Sequence, residues 1–77
     1  MGFYDREEAA RAIMRRNIRH GNVYVRQVLF EGDWILVDIE YSGKSYSRVD
    51  LDSCIYDAGT IADSYDVKMK WSLSQAY

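Results

Sequence analysis

Residues 22–51 read NVYVRQVLFEGDWILVDIEYSGKSYSRVDL, and the pairing of this stretch decides the fold. Odd positions hold most of its aliphatic residues: Val23, Val25, Leu29, Ile35, Val37, Ile39, Val49 and Leu51. Side chains alternate faces along a strand, so the pattern predicts three strands with one buried face. Two glycine-containing segments, Glu31-Gly32-Asp33 and Ser42-Gly43-Lys44, separate them. Read as three-residue loops, they pair Leu29 with Ile35, Val25 with Ile39, Val23 with Tyr41, and Val37 with Val49. A shift of one residue would split the apolar set between the two faces.

The same register puts Asp38 between Arg26 and Arg48 on the even face. Opposite charges across strands support such a pairing. The even face also carries Tyr24, Val28, Phe30, Trp34, Leu36 and Tyr46. A sheet face left to water should be polar. This one calls for a cover: the chain's own residues 54–65, a second copy docked in a homodimer, or a different protein.

Working outward, Asp5 followed by Glu8 resembles a capping box. Arg15, Arg16, Arg19 and His20 then lie near a stop at Gly21, which predicts a helix over about residues 6–19. Ala10, Ile13, Met14 and Ile18 make its apolar stripe, with Asn17 near the middle. Arg11, Arg15 and Arg19 make a basic ridge flanked by Arg16 and His20, or else a solvated helix face. Residues 53–66 carry a turn signal at Asp57-Ala58-Gly59-Thr60 and read as a loop or a short helix. Val67–Leu73 alternates apolar with polar residues, as a strand does, and Lys68 and Lys70 suit an edge. Residues 74–77 are expected to fray.

The expected fold is therefore α+β: one N-terminal helix packed on an antiparallel four-stranded sheet. The expected core is Ile13, Met14, Val25, Ile35, Val37, Ile39, Val49, Met69 and Trp71. A chain of 77 residues with 48% hydrophobic content suits a single domain. Helix–strand–strand–strand is also the opening order of double-stranded RNA-binding domains, whose second helix starts on a basic motif. Here Asp52–Asp66 is acidic and contains Gly59, so the likeness stops at topology.

Composition narrows the function classes. No apolar run is long enough for a transmembrane helix, and the first residues lack the apolar core of a secretory signal. The single Cys54 cannot close an internal disulfide, which suits a reducing, cytoplasmic setting. Phosphate-loop, dinucleotide, nucleophile-elbow and zinc-protease motifs are lacking. One His and one Cys cannot build a His/Cys zinc site within a single chain. No catalysis, cofactor or membrane partner is expected. Charge is uneven: residues 1–30 carry six arginines against three acids, and residues 31–77 carry four bases against nine.

These readings favour a small non-catalytic protein-binding module, an inhibitor or adaptor of the kind common among phage and mobile-element accessory proteins. Its contact residues would be Tyr24, Arg26, Phe30, Trp34, Leu36, Asp38, Tyr46 and Arg48, because aromatics and arginine dominate interface hot spots. The alternative is nucleic-acid binding through Arg11, Arg15, Arg16, Arg19 and His20. The net charge of −2 disfavours it, since phosphate neutralisation supplies most nonspecific affinity.

Overall fold

The computed structural model describes residues 3–76. Helix α1 (Phe3–Arg15) is followed by strands β1 (Arg19–His20), β2 (Val23–Glu31) and β3 (Trp34–Tyr41). Helix α2 (Arg48–Ser64) and strand β4 (Lys68–Gln75) complete the chain. The sheet order is β1-β2-β3-β4. The α+β class, the N-terminal helix and a four-stranded sheet are as expected, but the sheet is mixed. β1, β2 and β3 pair antiparallel, whereas β4 lies parallel to β3.

That parallel pair explains the main departure from the sequence reading. Parallel neighbours need a crossover of a dozen or more residues, usually a helix. Residues 42–67 are that crossover, so the expected strand ending at Leu51 is instead a loop and the first turn of α2. Within α2, Leu51, Cys54, Ala58 and Ala62 are buried at helical spacing. Gly59 sits inside this helix rather than at a turn. Val49, expected in the core, is 71% exposed on the helix exterior.

Both helices end on a non-glycine residue in the left-handed region. Asn17 has φ 49° and Asp66 has φ 58°. After α2, the Asp66 N–H donates to Asp63 O and the Val67 N–H to Ala62 O. Val67 packs into the core beside Ala62. This pair of bonds with its apolar contact is a Schellman ending, in which asparagine or aspartate substitutes for the usual glycine. α1 therefore stops at Arg15, four residues before the expected end near Arg19, and begins at Phe3, before Asp5. Gly21, with φ 60°, turns the β1–β2 hairpin, and a Cβ there would collide with the Asp50 carboxylate of α2.

The β2–β3 register matches expectation at Val23↔Tyr41 and Val25↔Ile39, then shifts. Arg26 and Gln27 form a bulge opposite Asp38. Beyond it Val28 faces Val37, Phe30 faces Ile35 and Glu31 faces Trp34. The hairpin turn is therefore two residues, Gly32-Asp33, with Gly32 at φ 62° in the first central position. A bulge inserts one residue into one strand and reverses the facing of every residue after it. Val28 and Phe30 thus join the core side, and Leu29 leaves it.

Both helices cover one face. Val23, Ile35, Val37 and Ile39 are 0% exposed there, against Ala9 and Ile13 of α1 and the buried stripe of α2. Each such buried aliphatic is worth about 1.5–3 kcal/mol. Val25 and Met69 pack against this core, whereas Met14 and Trp71, expected within it, remain 41% and 42% exposed. Ile18 is buried just beyond the end of α1. At the chain end, Gln75 donates to Gly43 O at 2.7 Å and Ala76 N to Tyr41 O at 2.9 Å. Residues 74–76 are therefore held by strand pairing rather than frayed, and Tyr77 lies outside the described residues.

Candidate functional site

With both helices on one side, the other side of the sheet is open. β2 contributes Tyr24, Arg26, Gln27, Leu29 and Glu31, and β3 contributes Trp34, Leu36, Asp38 and Glu40. β4 contributes Lys68, Lys70, Ser72 and Ser74. The α2 segment 54–65 packs on the opposite face, so it does not cover Trp34.

The open face has two halves. Near the β2–β3 turn, Trp34 stands opposite Glu31 and Lys68, and Leu36 stands opposite Leu29 and Lys70. Trp34 is 37% exposed and Leu29 43%. The Lys68 and Lys70 ammonium groups lie 5.7 and 5.2 Å from the Trp34 ring centre, within cation–π range. Lys70 also bonds Glu31 at 2.9 Å. This half is an apolar patch rimmed by held charges.

The other half is a polar network that the bulge creates. Two consecutive residues opposite one acid let both reach it: Arg26 Nη1 lies 3.2 Å from Asp38 Oδ2, and Gln27 Nε2 donates to the same oxygen at 2.9 Å. Arg26 Nε lies 3.3 Å from Glu40, whose other oxygen accepts from the Tyr24 hydroxyl at 2.9 Å. That hydrogen bond, with the neighbouring carboxylate charge, raises the Tyr24 pKa above 10.0. Arg19 of β1 stacks over the Tyr24 ring at 4.6 Å.

Of the residues expected on this surface, Tyr24, Arg26, Trp34, Leu36 and Asp38 share it. Three do not. Phe30 lies on the helix side beneath Arg6, whose guanidinium is 4.6 Å from its ring. Tyr46 lies in the loop after β3, against Tyr41. Arg48 opens α2 and pairs with Asp52 at 3.0 Å, so it is not the second base beside Asp38. Leu29 and Glu31 are members that the sequence reading placed elsewhere, in the core and in a loop. Lys68 and Lys70 lie on the outer side of an edge strand as expected, here beside Trp34 and Leu36. The signal for Leu29 was present: apolar residues change parity between Val25 and Val28, as a bulge requires.

Of the basic ridge, Arg11 and Arg15 stay together on α1, where both line the groove beside Val28, while Arg16, Arg19 and His20 lie apart from them. Arg11 is held within α1 by Glu7 at 3.6 Å and Glu8 at 4.0 Å. Arg16 lies past the helix end, Arg19 joins the open sheet face, and His20 on β1 bonds Asp57 of α2 at 2.7 Å. The His20–Asp57 pair is a tie between the short hairpin and α2. Cys54 lies nearby but does not complete a nucleophilic pair: its Sγ donates to Val23 O at 3.5 Å, and burial pushes its pKa up. Among the described residues, no three His, Cys, Asp or Glu side chains converge on a metal-sized site. No helix among them is long and apolar enough to cross a membrane. No family model, curated protein or solved structure matches this chain.

Proposed function

We propose that this protein is a small cytoplasmic protein-binding module, acting as an inhibitor or adaptor, whose contact surface is the open sheet face. The observation that supports it is a half-exposed Trp34 with Leu29 and Leu36 on a face that neither helix covers. Tryptophan at the centre of an apolar patch is the commonest kind of hot spot, and a polar rim excludes water around it. Here Lys68, Lys70 and Glu31 form one rim, and the Arg26–Asp38–Glu40 network forms the other. Most rim charges are held in place, Lys70 by Glu31 and Arg26 by Asp38 and Glu40, while Lys68 lies over the Trp34 ring. An apolar anchor with an acidic neighbour is the partner chemistry that Trp34 and its two lysines fit.

A photo-reactive amino acid at position 34, expressed in the native host, tests this reading. The expected result is one cross-linked protein band that is lost when Leu36→Asp is added. The same probe at exposed Tyr56 on α2 should not yield that band. Cross-linking to nucleic acid, or equal labelling from both positions, would contradict it.

A further inference from the structure

β1 pairs only with Val23 and Tyr24, and the last bond on that side joins Val25 N–H to Ile18 O. From Arg26 to Glu31 the outer edge of β2 therefore has no strand beside it among the described residues. Free edges are usually blunted by lysine, proline or short length. β4 follows that rule with Lys68 and Lys70. The β2 edge carries no lysine or proline from Arg26 to Glu31; its bulge lies at the Arg26-Gln27 end, and its charges turn inward, Arg26 onto Asp38 and Glu40 and Glu31 onto Lys70. Leu29 and Phe30 remain 43% and 47% exposed there. Between this edge and α1 runs a groove of about 500 Å³ lined by Glu7, Ala10, Arg11, Met14, Arg15, Val28 and Phe30.

We propose that the free β2 edge is the seam of a homodimer, with residues 27–31 of two copies paired antiparallel about a two-fold axis at Leu29. Parity fixes the register. Directly opposed residues share a face. Val28 and Phe30 point to the helix side, and Leu29 and Glu31 to the open side, so the axis passes through a residue rather than between two. Centring on Leu29 pairs Val28 with Phe30 of the second copy, both under the helices, and Gln27 with Glu31 on the open side.

Backbone polarity agrees. Glu31 bonds across the two-residue turn, so by alternation Val28 and Phe30 direct their N–H and C=O groups outward. The seam ends where Ile18 already occupies Val25, so the second copy fits the free length without displacing β1.

The helices select a second copy over an unrelated strand. Arg6 of α1 reaches Gly32 O at the end of β2, and the other end of α1 leads into β1. α1 thus runs opposite to β2, and antiparallel strands bring two antiparallel α1 helices together. Glu7 and Glu8 of one copy then meet Arg11 and Arg15 of the other, twice, across the Met14-lined groove. The seam shares Leu29 and Glu31 with the margin of the Trp34 patch, but the inference rests on the free edge and its register and does not depend on the proposed function.

Sedimentation of the purified wild-type chain over a dilution series should show a reversible dimer. Leu29→Glu sets two like charges against each other at the axis and should raise the dissociation constant about tenfold or more, with an unchanged circular dichroism spectrum. Because that change could also affect folding, Leu29→Cys gives a second reading. A side chain on the two-fold axis meets its own copy, with Cα atoms about 4.5 Å apart at a non-hydrogen-bonded position, within disulfide reach. Mild oxidation should yield a covalent dimer for Leu29→Cys and none for Ser72→Cys on β4. A wild-type monomer at every concentration, or cross-linking at position 72 but not 29, would overturn the proposal.

Discussion

The two faces of the sheet are made by the same strands, residue by residue in alternation, yet they do different work. Ile35, Val37 and Ile39 are fully buried under two helices, while their neighbours Trp34, Leu36 and Asp38 face outward. One face holds the fold together. The other carries a Trp34-centred patch and a charge network that lie outside the buried core. In so small a domain, where total stability is about 5–15 kcal/mol, apolar area spent on an uncovered face is area withheld from folding.

The sharpest way to break this contrast is to exchange chemistry between adjacent positions. Val37→Asp places an unpaired carboxylate in a fully buried site, which costs several kcal/mol and should abolish the folded amide spectrum. The reciprocal Asp38→Val should leave that spectrum folded. If both variants fold equally well, the assignment of faces is wrong.

A graded version compares two large truncations one residue apart. Ile35→Ala should lower urea-unfolding stability by about 3 kcal/mol, because it leaves a cavity among buried neighbours. Trp34→Ala removes a larger side chain but from the open face, and should cost about 1 kcal/mol. Equal losses would mean that Trp34 is covered.

The helix endings sharpen the account on the covered side. Asp66 pays for a left-handed backbone that glycine adopts freely. Asp66→Gly should raise stability by about 0.5 kcal/mol, and Asp66→Val should lower it by more than that, both read from thermal unfolding. The smallest effect belongs to the open face. Tyr24 should titrate above 10.0 in a ring-carbon chemical-shift titration, and Glu40→Gln should bring it down. The sign follows from the protonated phenol being the hydrogen-bond donor. Its contribution to stability is present below the ordinary tyrosine pKa and is lost as pH rises through the raised value.

Alternation alone revealed β3, the core valines and isoleucines, and the outward Arg26–Asp38 pair. It failed where a local rule competed with it. Val49 and Leu51 alternate as a strand would, but two residues cannot distinguish a period of two from the helical spacing that Leu51, Cys54, Ala58 and Ala62 continue. Gly59 read as a turn because glycine usually marks one, whereas here flanking burial holds it inside α2. Gly21 read as a helix stop for the same reason, while the stop is Asn17. The bulge at Arg26-Gln27 was the costly omission. It moved Leu29 to the open face and Val28 and Phe30 to the groove, and so redrew the candidate site on both sides of β2. Lys68 and Lys70 could not be placed beside Trp34 without knowing that β4 runs parallel to β3.

The central claim is that Trp34 lies on a sheet face that the rest of the chain leaves open. It is tested most directly by titrating a soluble fluorescence quencher against the Trp71→Phe variant, in which Trp34 is the remaining tryptophan. The account predicts red-shifted emission and ready quenching, unchanged by dimerisation at the β2 edge. Blue-shifted emission with full protection from the quencher in the isolated protein would contradict it.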